Sequence, residues 1–392
     1  MASAQDTAMG TNHGPKPEDR EIPGVLIRLL ESADVRFNGD RPWDIQVHDP
    51  AFYDRILRQG SLGFGESYMD NAWDSERLDE TLCKLLSARL DNKIKDFGKL
   101  RLLGLFLRNI LFIRQSRKRA FQVGEHHYDI GNDVYAAMLD PTMSYSCGYW
   151  KDAENLEQAQ LAKLRLICDK LELKSGERLL DIGCGWGGLA RFAARNYGVE
   201  VTGITVSKEQ QHFAQKRCAD LPISIKLMDY RDLSGRFDKV VSVGMFEHVG
   251  PKNYPAYFAT VGRVMVADGL FLLHTIGDYD RPHASEDPWI DKYIFPNGHV
   301  PSLQEISKPI EHDFVLDDWH NFGQDYDATL MAWWKNFDLA WPRFADRYDE
   351  RFYRMFKFYL NACASYFRSR QGQLWQLVLS KYGRREIYRS IR

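Results

Sequence analysis

The sequence has no paired cysteines, no long apolar run and no surplus of either charge. Its six cysteines, at 83, 147, 168, 184, 218 and 363, include no C-x-x-C pair and no metal-ligand spacing. That pattern argues against a disulfide framework and a zinc site, and it suits a reducing compartment. His126-His127 has no partner ligands at suitable spacing, so no metal is expected. Without a run of about 20 apolar residues no helix is expected to span a bilayer. Residues 1–20 are polar and lack an apolar core, which reads as a disordered tail rather than a secretory signal. The 52 Lys+Arg against 54 Asp+Glu leave a formal charge of −2. The middle of the chain, 121–339, carries 21 basic and 32 acidic residues, so a nucleic-acid partner is not expected.

Basic charge is concentrated instead. Residues 99–120 carry 7 basic and no acidic side chains, and 340–392 carry 12 basic and 4 acidic. Two such segments in a near-neutral protein suit docking on an anionic membrane surface. In KLRLLGLFLRNILFIRQSRKRA (99–120), ten of the fourteen residues from Leu100 to Ile113 are large and apolar. On a helix Arg101, Arg108 and Gln115 share one narrow stripe, and Arg117-Lys118-Arg119 forms a basic end. An interfacial membrane helix and a helix buried against the next domain both fit this pattern.

The chain divides into a tail (1–20), a helical N-terminal domain (21–120) in which Gly-rich SLGFGESYMD (61–70) reads as a turn, and a larger domain (121–392). After an amphipathic helix at 154–173, short apolar runs alternate with helical ones. Strands are predicted at 177–183, 199–206, 223–229, 237–245 and 270–277, with helices at 189–198, 208–220 and 254–267. This alternation specifies an α/β fold with a parallel sheet covered on both faces.

The strongest local signal is LLDIGCGWGG (179–188), a strand running into a glycine turn and then a helix. Glycines are required where the backbone takes positive φ and a ligand approaches closely. A dinucleotide fold would place a carboxylate at the end of the next strand. Here that strand ends in Gly203-Ile204-Thr205-Val206-Ser207, followed by Gln210. Asp181 enters the glycine turn, and an acid there suits a ligand with a cationic amino-acid end. Together these features favour S-adenosylmethionine over NAD.

DIGCGWGGLA, ITVSKEQ, VVSVGMFEHVGPKNY, LLHTIG, DPWIDKYIFPNG and DWHNFGQDYDATLMAW, in this order, closely resemble the bacterial cyclopropane-fatty-acyl-phospholipid synthases. These are relatives of the mycolic acid cyclopropane synthases. The resemblance runs from about residue 121 to 380. It implies a class I S-adenosylmethionine-dependent methyltransferase fold, Rossmann-like with a mostly parallel seven-stranded sheet, plus a smaller N-terminal helical domain. It also implies methylene transfer to the cis double bond of unsaturated acyl chains in membrane phospholipids, by a cytoplasmic homodimer held peripherally on the inner face of the membrane.

By the same resemblance a bound bicarbonate acts as general base, held by Cys147, Glu247, His274, Tyr326 and the backbone N–H of Ile276. Tyr145 and Ser146 match the pair at the amino-acid end of the cofactor. Gly183, Cys184 and Gly185 match its sugar side, and Thr205, Ser207 and Gln210 supply ribose contacts. Tyr230 and Arg231 match the adenine-flanking positions, where the mycolic relatives carry a Trp-Glu-like pair. Cys363 matches a cysteine discussed for the active site, although a Cys on an aromatic-rich helix is commonly a packing residue. His248 reads as structural. The chemistry needs a slot that excludes water, because water would quench a carbocation. Two other products of this scaffold stay open: a fatty-acyl methyltransferase that leaves a methyl branch, and an inactive lipid-binding relative.

Overall fold

The computed structural model describes residues 22–90, 131–278, 287–311 and 313–392. The predicted tail (1–20) and the basic apolar segment (99–120) lie outside the described residues.

The N-terminal elements are α1 (Gly24–Glu31), β1 (Gln46–Val47), α2 (Ala51–Gln59), α3 (Ser61–Met69), β2 (Trp73–Asp74) and α4 (Leu78–Ser87), with β1 and β2 antiparallel. The turn expected at 61–70 is instead the helix α3. Its glycines serve close packing rather than a bend. A Cβ on Gly63 would fall 2.4 Å from the carbonyl oxygen of Arg55, and one on Gly65 would fall 2.5 Å from the Trp289 indole. The turn itself is Gly60, at φ +59°.

The larger part follows with α5 (Asn132–Met138), α6 (Leu156–Lys170), β3 (Arg178–Ile182), α7 (Gly188–Tyr197), β4 (Glu200–Thr205), α8 (Lys208–Arg217), β5 (Ile223–Leu227), β6 (Phe237–Val243), α9 (Tyr254–Val264) and β7 (Met265–Asp278). Then come α10 (Pro288–Tyr293), α11 (Leu303–Ile310), β8 (Phe314–Asn321), α12 (Asp325–Ala340), α13 (Glu350–Arg368) and β9 (Gly372–Lys381). Seven strands form one sheet in the order β5-β4-β3-β6-β7-β9-β8. The pairs from β5 to β7 are parallel, and β9 runs antiparallel to both β7 and β8. This is the class I methyltransferase fold. The helix expected over 254–267 stops at Val264, because Met265 already has extended backbone and pairs with Phe237 across a register shift.

The chain order reverses between β3 and β6, the switch point at which open α/β sheets bind ligands beyond the carboxyl ends of their strands. Side chains such as Leu180, Val240, Leu272 and Leu377 are fully buried across the sheet. A separate aromatic core joins the N-terminal helices to α12 and α13 through Phe52, Trp73, Trp333, Phe337 and Phe356. Arg354 of α13 crosses this seam. Its guanidinium donates to the Trp73 carbonyl at 3.0 Å, pairs with Asp74 at 2.9 Å and lies 4.1 Å over the Tyr68 ring. From α10, Trp289 packs on Gly65 and donates to Met69 Sδ, while Lys292 pairs with Glu66 at 2.6 Å.

Candidate active site

A cavity of about 340 Å³ opens at the carboxyl ends of β3, β4 and β6. One end is built on short turns. Gly183, Gly185 and Gly187 take φ of +86°, +54° and +80°. A Cβ on Gly183 would overlap Met245, whereas one on Gly185 would meet nothing nearer than Gln210 Nε2 at 3.9 Å, leaving that backbone open to a ligand. At the entry to the turn, Asp181 is 2% exposed and its Oδ2 has no partner among the described residues. Burial pushes its carboxyl up to about 7, against the pull of the Lys163 ammonium.

The Tyr145-Ser146 loop closes over this end. Tyr145 shares a 2.7 Å hydrogen bond with Tyr359, and Ser146 Oγ accepts from Lys163 Nζ at 2.8 Å. After β4, Thr205 Oγ1 donates to Gln210 Oε1 at 2.8 Å, and Ser207 caps α8. After β5, Arg231 pairs with Asp229 at 2.7 Å, and its guanidinium sits 4.7 Å over the Tyr230 ring. Arg231 thus neutralises Asp229 and braces Tyr230, which leaves the tyrosine ring as the flat surface of this wall.

The other end is assembled from distant parts of the chain. Glu247 lies in a single 3₁₀ turn after β6 and is buried. Its Oε1 accepts from the Ile276 N–H at 2.7 Å, and its Oε2 has no partner among the described residues. Burial pushes this carboxyl up to about 7, opposed by the Ile276 hydrogen bond. The Ile276 N–H is therefore engaged by Glu247 itself.

His274 sits inside β7, within the strand predicted over 270–277, and is 1% exposed. Gln376 Nε2 lies 3.2 Å from its Nδ1. Burial, with Lys163 and Lys170 in reach, holds the imidazole well below its usual range and hence neutral. With the Gln376 amide donating to Nδ1, the ring N–H is on Nε2, which has no partner among the described residues.

Tyr326 faces the same region from α12. Burial first, then the Cys147 and Glu247 charges, keep its phenol protonated. Cys147 is fully buried, its thiol pushed up by burial and hydrogen-bonded to the Gly148 carbonyl at 3.1 Å.

Every cofactor-side residue predicted from sequence lines the cavity: Tyr145, Ser146, Asp181, Gly183, Cys184, Gly185, Thr205, Ser207, Gln210, Tyr230 and Arg231. Glu247, Ile276 and Tyr326 line its other end. Cys147 and His274 are buried outside its lining. Cys363 on α13, half-buried, also lies outside the lining, and burial pushes its thiol up to about 12. His248 is held neutral, pushed down to about 4 by burial. Sequence reasoning did not single out Lys163, Gln160 or Tyr359, each of which braces the Tyr145-Ser146 loop. For Gln160 and Lys163 the available signal is the polar side of α6, where they share one stripe; Tyr359, on α13, carries none.

Residues 115–377 match the family model described as mycolic acid cyclopropane synthetase. The chain belongs to this family. Over 359 residues, 91% of the chain, it is 57% identical to the cyclopropane-fatty-acyl-phospholipid synthase of Escherichia coli (strain K12), 93% of which is covered. The tuberculostearic acid methyltransferase of Mycobacterium tuberculosis is 34% identical, over 86% of this chain and 83% of its own. Among solved structures, a cyclopropane synthase from Mycobacterium tuberculosis superposes with a TM-score of 0.63 at 31% identity, over 67% of this chain and 98% of that one. A mycolic acid cyclopropane synthase in complex with SAH and CTAB gives 0.62 at 32% identity, over 67% and 98%. Like those synthetases, this chain is an enzyme on the class I methyltransferase fold. No helix among the described residues is long and apolar enough to cross a membrane.

Proposed function

We propose that the chain adds a methylene group from S-adenosylmethionine across the cis double bond of unsaturated acyl chains in membrane phospholipids, forming a cyclopropane ring. The observation that carries this reading is Glu247 Oε2, an unmet buried oxygen at one end of the cavity, with the equally unmet His274 Nε2 buried outside the lining. A buried polar atom left unpaired is costly, so such a pair in a native site is a place prepared for a polar guest. The unpartnered Asp181 oxygen and the open backbone at Gly185 fit the cofactor at the opposite end.

S-adenosylmethionine supplies an electrophilic methyl group that an alkene π pair can attack, leaving positive charge on the acyl chain. Ring closure then requires that one C–H bond of the new methyl lose its proton, its electron pair closing onto the cationic carbon. The residues of this chain provide for that second event. Tyr145, Tyr326, Tyr359 and Phe295 line the cavity with rings that exclude water and present faces to a cation. Glu247, fixed by the Ile276 N–H, and the neutral His274 offer an acceptor and a donor that together hold a small protonated oxyanion. We take that ion to be bicarbonate, the proton acceptor, with the Tyr326 phenol as a further donor and the buried Cys147 thiol behind it.

The lipid surface is assigned to the segment 99–120. Neutralising Arg114, Arg117, Lys118 and Arg119 weakens binding to anionic vesicles in a salt-sensitive manner if the assignment is right; unchanged sedimentation with vesicles removes it. Peripheral attachment to the inner face of the membrane follows from this reading. A homodimer in the cytoplasm completes the proposal, and analytical ultracentrifugation reads it directly.

The deciding experiment is mass spectrometry of acyl chains after incubating the pure protein with S-adenosylmethionine and unsaturated phospholipid vesicles. The expected result is a gain of CH2 with loss of the double bond and a ring fragmentation pattern. The same gain on a branched chain would make the enzyme a fatty-acyl methyltransferase, and no gain with cofactor bound would refute catalysis on that lipid.

A further inference from the structure

Lys163 projects from the middle of α6 into the cavity wall, yet it is only 1% exposed. A buried ammonium is costly unless a negative group answers it. Among the described residues it makes no ion pair, and its partner is the neutral hydroxyl of Ser146, at 2.8 Å. The groups in electrostatic reach are, in order of effect, Asp140, the Cys147 thiol and Asp181. Asp140 is already committed: its carboxylate accepts from the Thr142 and Ser144 N–H groups and from the Thr142 hydroxyl. Asp181 keeps one oxygen unmet. The wall therefore carries a buried ammonium and, within electrostatic reach of it, a buried carboxyl, with no ion pair between them.

We propose that Lys163 is a cofactor-binding residue: its ammonium, with the Ser146 hydroxyl, holds the carboxylate of the cofactor's amino-acid end, while Asp181 takes the α-ammonium. The inference rests on the reading that S-adenosylmethionine fills this cavity. A zwitterion set between the two residues answers both charges at once, and a ligand with only one charge leaves the other stranded. Burial lowers the lysine to about 8 and raises Asp181 to about 7, the mark of two charges held without an opposite partner in contact. Gln160, one turn earlier, donates to the Ser146 carbonyl at 2.8 Å and fixes the loop whose hydroxyl completes the pair. If Lys163 were only a prop for that loop, its charge would have no role and any ligand would lose equally on its removal.

The test is calorimetric titration of the full chain with S-adenosylmethionine and with its decarboxylated analogue, for the parent and for Lys163→Met. The parent should favour the carboxylate-bearing ligand by about 10- to 100-fold, the range of a hydrogen bond to a charged group. In Lys163→Met that preference should fall to within about threefold, chiefly through weaker binding of S-adenosylmethionine. Equal losses for both ligands, or an unchanged preference, overturn the proposal. So does a parent that binds the two ligands equally, a result that needs no variant. A parent that binds neither overturns this assignment together with the cofactor reading, whereas binding without discrimination overturns this assignment alone. The thermal midpoint of unliganded Lys163→Met should not fall below that of the parent, because the substitution removes an uncompensated buried charge.

Discussion

The two ends of the cavity are built in opposite ways. At the cofactor end most groups come from consecutive turns at the tips of β3, β4 and β5, each short and glycine-rich or self-capped, with the Tyr145-Ser146 loop and Lys163 of α6 added from just before β3. At the end that holds the unmet Glu247 and His274 atoms, the groups come from a 3₁₀ turn, the interior of β7, the start of α12 and the loop at Cys147. The first end is polar and local. The second is buried, assembled from positions up to 179 residues apart, and braced by further groups such as Gln376. A diffusible cofactor can be gripped by backbone and hydroxyls, but a proton acceptor beside a carbocation must be kept dry, and dryness takes side chains from many directions.

This contrast is sharpest in its kinetic consequences. Glu247→Gln should lower turnover by about 100-fold or more while cofactor affinity stays within about threefold, measured by acyl-chain mass spectrometry and calorimetry. Unchanged turnover would dissolve the distinction between the two ends. Tyr326→Phe removes one donor from the same end and should cost turnover about 10-fold, again with cofactor binding preserved.

At the opposite end Asp181→Asn should act on affinity instead. The Asp181 carboxyl ionises near 7 in the unliganded chain, and its ionised form attracts the cationic end of the cofactor. Affinity in the parent should therefore rise with pH through about 7 and fall again above about 8, where Lys163 loses its proton. The asparagine variant should match the parent at low pH and bind about 10-fold less tightly between about pH 7 and 8, where Asp181 is ionised and Lys163 still charged. Native stability runs the other way. Asp181 and Glu247 ionise later in the folded chain than in the unfolded one. The stability of the unliganded protein should then decline as pH rises from about 4 to about 7, and Asp181→Asn should blunt that decline in thermal melts. The smallest effect is expected for Tyr230→Leu, a loss of about 3-fold in cofactor affinity through the missing ring face.

The same contrast decides what the sequence reveals. The glycine turn at 183–187 and the hydroxyl-and-amide run at 205–210 announce a cofactor end because each is contiguous, and the parallel strands β3 to β6 fall where the alternation puts them. Glu247, His274 and Tyr326 emerge only from the order of several motifs, since no spacing rule links them. Some residues mislead. Gly63 and Gly65 read as a turn, but they are helical because Arg55 and Trp289 press against them, a tertiary demand with no local trace. Lys163 and Lys170 read as the solvated face of an amphipathic helix, yet both are buried, Lys170 against Asp318 at 3.1 Å. The resemblance implies seven strands, but the alternation places only five and gives no position to β8 or β9. Phe314–Asn321 carries two aspartates, Asp317 and Asp318, in mid-strand, and a charge there argues against a strand until Lys170 and Arg392 are seen to neutralise Asp318.

The position of β9 bears on how the molecule comes into being. Last of the strands in chain order, it lies within the sheet between β7 and β8, and it carries the Gln376 amide that sits on His274. Synthesis proceeds from the N-terminus, so the strands that shape the cofactor end can associate while β9 is still unmade. The end with His274 gains its last support only when residues 372–381 have emerged and inserted. The Gln376 contact on His274 is thus among the later ones to form as the chain is made, as is the Tyr359 contact that braces the Tyr145-Ser146 loop.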